Sequence, residues 1–364
     1  MVGRNPGHIT QQGQVLCDLF EREGYPVISA SSFMNRYRRM ADIFGTIARN
    51  RRQIDVVILE IYGGPSFVVE DIASFLGSRF GIPIVMWLHG GALPEFMDRF
   101  PRWTRKVLAR ADMLVTPSDF LARTANKHGF QTRIIPNVID LPLYPYRHRQ
   151  GVKPRLFWMR SFHPTWNPLM AVRVLDHLQT DFPDATLVMA GADKGTQSDV
   201  ESFAGNLGLT DHVKFPGFLD MKAKVLAGAA ADIFLNTNRI DNTPIAILEA
   251  CAMGLPVVTT NVGGIPDFLT HHQTALLVPD DDDRAMAQAV KDLIVNPDLA
   301  QSLSKNGRRL AAKFSWEQVR PQWDHVFSDL MMTRPAEALK HSTAITNVSA
   351  CGSDRQRPTI TELF

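Results

Sequence analysis

Short runs of β-branched and apolar residues recur along the chain, separated by longer stretches in which apolar positions return every three or four residues. In the first part the runs Pro26–Ala30, Asp55–Ile61, Pro83–His89, Met113–Pro117 and Arg133–Pro136 predict strands, with helices such as Gly13–Glu23 and Ser66–Phe80 between them. A proline-containing, basic, linker-like stretch, Pro145–Lys153, precedes a second series. Its strands are Arg155–Met159, Ala185–Ala190, Val213–Phe215, Ile233–Asn236, Pro256–Thr260 and Ala275–Val278. Strand–helix alternation of this kind predicts an α/β architecture of two consecutive doubly wound parallel sheets. Such sheets bind ligands at the carboxyl ends of their strands, and two of them face to face would form a cleft. Ser315–Leu330 reads as a terminal helix carrying Trp316, Val319, Trp323 and Val326. Beyond Arg334 the chain is rich in Ser, Thr, Arg and Asp without periodicity, which predicts a disordered tail. The expected divisions are thus 1–148, 149–314, a connecting helix at 315–333 and a tail at 334–364.

Composition narrows the class. With 364 residues, 45% hydrophobic and 21% charged, the chain can bury two ordinary cores. Its longest apolar runs, such as Ile82–Leu88, are far too short to span a membrane. No signal peptide is read in Met1–Pro6, and Cys17, Cys251 and Cys351 lack metal-ligand spacing, so a reducing cytoplasm is the expected location. Charge is uneven: residues 1–150 hold 19 basic and 13 acidic side chains, a surplus of six, whereas the remainder has a deficit of four. A basic first half suits an anionic partner such as a phosphate-linked acceptor or a membrane surface; a solvated surface is the plain alternative.

The chemistry concentrates in Asn236–Pro266, NTNRIDNTPIAILEACAMGLPVVTTNVGGIP, which reads as strand, polar loop, helix, strand and glycine turn. The loop Arg239–Pro244 ends a strand and opens a helix near Pro244 or Ile245. Free amides at that helix start form a ready phosphate site. Glu249 follows one turn later among apolar Ile247, Leu248, Ala250 and Cys251, where a carboxylate needs a partner such as two ribose hydroxyls. The alternative is a glutamate at a solvated helix edge with Asp241 as a plain cap.

Asp241, seven intervening residues and Glu249 within LEACAMGLPVV resemble the acidic-x7-Glu region of the family-4 retaining glycosyltransferases, whose fold is GT-B. The resemblance implies that Glu249 binds the ribose of a nucleotide-sugar and that Asp241, one methylene shorter than the usual Glu, contacts the donor sugar. It also places Asn242, Thr243, Ile245 and Leu248 in the donor site. Gly263-Gly264-Ile265-Pro266-Asp267 matches the family's glycine turn, Phe215–Phe218 its loop beside the base, and Phe314-Ser315-Trp316 the start of its crossing helix. Arg160, closing the strand LFWMR, stands where the family has a phosphate-binding arginine. The usual companion lysine is replaced by Pro164-Thr165-Trp166-Asn167, which leaves the phosphate charge to Arg160 with the helix amides and His163; a surface salt bridge is the alternative role for Arg160.

In the first domain, Trp87-Leu88-His89-Gly90-Gly91 closes a strand, and the resemblance places His89 near the donor sugar and the forming bond; a hydrogen-bonded structural histidine is the alternative. Gly3–Gly13 resembles the glycine-containing first loop that approaches phosphates and acceptor, with Gly3 and Gly13 as its markers and Met1-Val2 as an abbreviated preceding strand. Glu95–Arg110 interleaves Arg99, Arg102, Arg105 and Lys106 with Phe96, Phe100 and Trp103, an amphipathic helix suited to a membrane or acceptor surface. No nucleic-acid motif accompanies this charge. Asp280–Asp283 reads as a loop and helix cap rather than a metal site.

The resemblance implies transfer from a UDP- or GDP-sugar to a glycan or lipid-linked acceptor in cell-surface polysaccharide synthesis. Configuration would be retained by front-face displacement, with neither metal nor cofactor required. A GT-B-like sugar-nucleotide epimerase or hydrolase, or a degenerate sugar-nucleotide-binding scaffold, would share the same motifs.

Overall fold

The computed structural model describes residues 12–31, 33, 35–332 and 360–363. These fall into two units: 12–136 with 319–332 and 360–363 in the first, and 137–318 in the second. The division at Pro136/Asn137 comes before the stretch read as a linker.

The first unit carries strands β1 (Val27–Ala30), β2 (Val56–Ile61), β3 (Ile84–Leu88), β4 (Met113–Thr116) and β5 (Arg133–Ile134). Its helices are α1 (Gln12–Arg22), α2 (Arg36–Asn50), α3 (Phe67–Arg79), α4 (Leu93–Arg99), α5 (Pro101–Leu108) and α6 (Asp119–Lys127). Alternate residues of β3 serve opposite faces. Ile84, Met86 and Leu88 join the cluster formed with Ile43, Phe67 and Val107, while Trp87 on the other face meets Trp323 with ring centroids 5.4 Å apart. The segment read as one amphipathic helix over Glu95–Arg110 is two helices. Phe100 leaves helical geometry (φ −126°, ψ 52°) because the following Pro101 disfavours it and has no N–H to give.

The second unit carries β6 (Arg155–Met159), β7 (Thr186–Ala190), β8 (Val213–Gly217), β9 (Ile233–Asn236), β10 (Val257–Thr260) and β11 (Leu276–Val278). Helices α7 (Pro168–Gln179), α8 (Gln197–Asn206), α9 (Met221–Ala230), α10 (Ile245–Ala252), α11 (Ile265–Phe268), α12 (Asp283–Val295) and α13 (Pro297–Ala312) complete it. The sheet is parallel throughout, in the order β11-β10-β9-β6-β7-β8, so the chain's progress across it reverses between β6 and β9. Both faces are covered. Leu156 and Trp158 of β6 with Ile233 and Leu235 of β9 point to one cluster, Phe157 and Phe234 to the other. The starts of α9 and α12 are capped by side chains: Asp220 accepts from the Ala223 amide at 2.8 Å, and Asp282, within the four-aspartate run, from that of Ala285 at 2.8 Å. The supposed linker is packed into this unit. Arg149 is 2% exposed and its guanidinium donates to the carbonyls of Gly228 at 2.7 Å and Ala231 at 3.1 Å. Five guanidinium donors let one side chain satisfy several buried carbonyls, and burial pushes its pKa down only to about 10.

Helix α14 (Trp316–Met332) contributes its residues from Val319 onward to the first unit. There Trp323 and Phe327 lie 6.2 and 5.4 Å from the ring of Phe20, and Tyr25 donates to Asp324 at 2.6 Å. The larger departure from the sequence reading is β12 (Ile360–Leu363), in the segment expected to be a disordered tail. It inserts between β1 and β2, parallel to both, giving the order β1-β12-β2-β3-β4-β5. Counting β12 first, this is the flavodoxin-like order of doubly wound sheets. The place assigned by sequence to a short strand at Met1-Val2 is therefore filled from residues 360–363; Met1-Val2 itself lies outside the described residues. Four residues suffice because both neighbouring ladders satisfy the strand's backbone.

Candidate active site

Parallel sheets place the carboxyl ends of their strands, and the loops that follow, at one edge. In the second unit the reversal between β6 and β9 brings the loop after Met159 beside the loop after Asn236. Arg160 and Asp241 meet there. The Arg160 guanidinium donates to Asp241 Oδ2, which also accepts from Asn238 Nδ2 at 2.7 Å, while Asp241 Oδ1 accepts the Asn242 amide at 2.7 Å. The guanidinium carbon sits 4.2 Å from the centre of the Trp166 ring, a cation–π contact. Burial pushes the Arg160 pKa down to about 10, against the raising effect of Glu249, so the group stays charged at neutral pH. Its side chain is 19% exposed, and its Nε has no partner among the described residues.

Two glycines make this approach possible. A Cβ on Gly191 would lie 1.8 Å from the Arg160 carbonyl oxygen, and one on Gly263 would lie 2.0 Å from that of Asp241. Gly263 also has φ +56°, and the next amide, Gly264 N–H, donates to the Asp241 carbonyl at 2.9 Å. The glycine turn singled out in the sequence is thus the backing of the Asp241 loop.

Helix α10 opens at Pro244, whose extended backbone caps it without a side-chain bond. The Ile247 amide donates to Pro244 O at 3.1 Å, while the amides of Ile245 and Ala246 precede any intrahelical acceptor. Thr243 is held by Asn137, whose Nδ2 donates to its carbonyl at 3.3 Å; Asn242 and Thr243 are buried and Ile245 half-buried. Leu248 is fully buried in the apolar cluster with Phe234 and Phe157, so its side chain belongs to the core rather than to the surface of the site. Glu249 is 6% exposed, and its Oε1 accepts from Tyr144 Oη at 2.7 Å and Lys224 Nζ at 2.5 Å. The carboxylate is thus not at a solvated helix edge. Burial and the Glu249 charge push the Tyr144 pKa up, which keeps the phenol a donor. His163 caps a short turn through Nδ1, accepting the Thr165 amide at 3.2 Å.

In the first unit His89 follows β3. Its amide donates to Ile61 O at 2.8 Å, and the ring lies against Tyr62 (5.4 Å, stacked) and Trp87 (4.2 Å, edge-on). Its Nε2 stands 3.5 Å from Glu60 Oε1 and has no hydrogen-bond partner among the described residues. Burial pushes the imidazole down to about 3 and the Glu60 carboxyl up to about 8, so at neutral pH both are largely uncharged. Gly13 is a first-turn residue of α1 rather than a loop residue, and its N–H donates to Glu60 Oε1 at 3.0 Å; Gly3 lies outside the described residues. Arg99, Arg102, Arg105 and Lys106 are exposed along α4 and α5, whereas Arg110 is tied to Asp71 at 2.6 Å. Beside them is a cavity of about 460 Å³ whose lining includes Gly63, Pro65, Phe96, Arg99, Phe100 and Trp103.

Sequence reasoning named Arg160, Asp241, Glu249 and His89 but not the neighbours that hold them, Lys224, Tyr144 and Glu60, nor the stacking of Trp166. Lys224 and Tyr144 are 25 and 105 residues from Glu249, and Glu60 lies on β2 whereas His89 follows β3, so only a fold-level alignment of elements would have exposed them. Trp166 is close to Arg160 in sequence, but its stacking depends on how the loop folds back.

Residues 10–142 match the family described as Glycosyltransferase Family 4, and residues 148–310 match Glycosyl transferases group 1. A glycogen synthase of Mycobacterium tuberculosis is 26% identical over 70% of this chain and 64% of its own length. A GDP-mannose-dependent phosphatidylinositol monomannoside mannosyltransferase of the same organism is 27% identical over 47% of this chain, which spans less than half (46%) of that relative. Among solved structures, HepE from Anabaena in complex with UDP-glucose superposes with a TM-score of 0.73, covering 90% of this chain and 98% of that one at 18% identity. Two parallel-sheet α/β units, these motif residues and both family matches agree: the chain belongs to the family-4 glycosyltransferases of the GT-B fold.

Proposed function

We propose that this protein transfers a sugar, with retention of configuration, from a UDP- or GDP-sugar to a lipid-linked or glycan acceptor in cell-surface polysaccharide synthesis. The observation that carries this reading is the Arg160–Asp241 pair beside Glu249 and the start of α10, all at the reversal point of the second sheet. Asp241 would orient the donor sugar's hydroxyls, Glu249 would take the ribose diol, and Arg160 with the α10 amides would stabilise the departing diphosphate. With those groups supplying position and charge, the donor phosphate can assist loss of the acceptor proton, and no protein nucleophile is required. His89, held neutral by burial, is suited to donate or accept one hydrogen bond at the reacting sugar rather than to act as an acid.

On the acceptor side, exposed Arg99, Arg102, Arg105 and Lys106 beside the aromatic-lined cavity support an anionic carrier with an apolar chain. The testing experiment offers radiolabelled UDP-glucose, UDP-N-acetylglucosamine and GDP-mannose together with a bacterial lipid extract. Label entering the lipid phase in an α-linkage is the expected result. Release of free sugar or an epimerised nucleotide, with nothing transferred, would overturn the reading.

A further inference from the structure

Lys224 lies one turn into α9, a helix with no donor-site motif, yet its ammonium is bonded to Glu249 Oε1 at 2.5 Å and its side chain is only 18% exposed. A buried carboxylate needs a partner, and Tyr144 already supplies one at 2.7 Å on the same oxygen. Lys224 adds a full positive charge. Together Arg160 with Asp241 and Lys224 with Glu249 form two neutralised pairs at one end of the second sheet. A nucleoside diphosphate brings at least two negative charges to this place, and Arg160 is committed to a carboxylate and stacked on Trp166. The loop after β6 offers no lysine and no second arginine: Arg160 is followed by Ser161, Phe162, His163, Pro164, Thr165, Trp166 and Asn167, and His163 spends its Nδ1 accepting the Thr165 amide at 3.2 Å.

We propose that Lys224 is a donor-site cation that exchanges partners. It holds Glu249 before the nucleotide binds and passes to a phosphate oxygen once ribose hydroxyls take its place on the carboxylate. The exchange conserves hydrogen bonds. Glu249 loses an N–H donor and gains O–H donors, while the ammonium leaves one oxyanion for another. Lysine suits this role because a compact charge on a flexible four-carbon stem can swing where a planar guanidinium cannot. The inference rests on the reading of Glu249 as the ribose contact, and its test separates the two.

Lys224→Gln keeps a donor for Glu249 but removes the charge. By calorimetry on the full chain, UDP and GDP should bind at least tenfold more weakly to this variant than to the parent. Uridine and guanosine should bind it as well as the parent or better. Equal weakening of nucleoside and diphosphate would show that Lys224 only props Glu249, and unchanged diphosphate binding would show that it touches no phosphate. Either result overturns the proposal while leaving the ribose reading intact. The ribose reading fails separately if Glu249→Gln, melting like the parent, binds the nucleosides unchanged.

Discussion

Gly263 lies so close against Asp241 that no side chain fits there unless one of the two backbones shifts: a Cβ at position 263 would fall 2.0 Å from the Asp241 carbonyl oxygen. Gly263→Ala must therefore move the loop that carries the carboxylate, besides straining a backbone at φ +56°. The variant should fold, melt several degrees lower, and lose at least tenfold in turnover with any donor the parent uses. Parent-like kinetics in Gly263→Ala would show that the position of Asp241 is not critical.

Residues 360–363 are part of a fold rather than an appendage. Ile360 is 1% exposed and its amide donates to Pro26 O at 3.0 Å, and β12 also pairs with β2. Ile360→Asp places a charge in the middle of the first sheet at a cost of about 3 kcal/mol or more. Thermal melting should show a large loss in the first unit, with UDP or GDP binding retained at low temperature if the second unit stands alone. A melting curve unchanged by Ile360→Asp, or by removal of residues 360–364, would exclude this strand.

The buried carboxyls Glu60 and Glu70 make stability depend on pH. Burial pushes each up to about 8 from an ordinary 4.5, so between those values the folded state binds more protons than the unfolded one and stability falls as pH rises. His89, pushed down to about 3, acts in the opposite sense between pH 3 and 6.5 and offsets part of the slope there. From pH 6.5 to 8 the carboxyl effect stands uncompensated, and Tm should fall across that interval. Glu60→Gln with Glu70→Gln should flatten the fall.

Replacing Arg99, Arg102, Arg105 and Lys106 by Gln should weaken binding to vesicles containing anionic lipid and spare UDP and GDP binding. Each exposed cation near such a surface contributes about 1 kcal/mol, and salt should weaken the parent's binding in the same way. If the parent ignores the vesicles at low salt, a soluble acceptor becomes the better reading.

Legibility in the sequence followed the range of the interactions. All eleven strands from β1 to β11 were read from local runs, and Asp241, Glu249 and the glycine turn lie within one contiguous motif whose geometry is fixed by strand, loop and helix in succession. Lys224 and Tyr144 reach Glu249 across 25 and 105 residues, and nothing periodic in α9 or before Pro145 announces that convergence. Strand β12 was missed because Ile-Thr-Glu-Leu is short, half polar and embedded in a Ser- and Thr-rich stretch. Its β-branched pair Ile360-Thr361 was the available signal, but the ladders that fix it come from residues more than 300 positions away.

The position of β12 also sets an order in time. A ribosome completes β1 to β5 and then the whole of 137–318 before it reaches Ile360. The first unit to be synthesised therefore waits with β1 and β2 unpaired on their facing edges, while the second has every strand it needs. Domains generally fold as they emerge, N-terminal first. Here the sequence of events is inverted, and the interval during which two sheet edges stand open is the period in which the nascent chain is most exposed to edge-to-edge association and to chaperones that recognise unpaired strands.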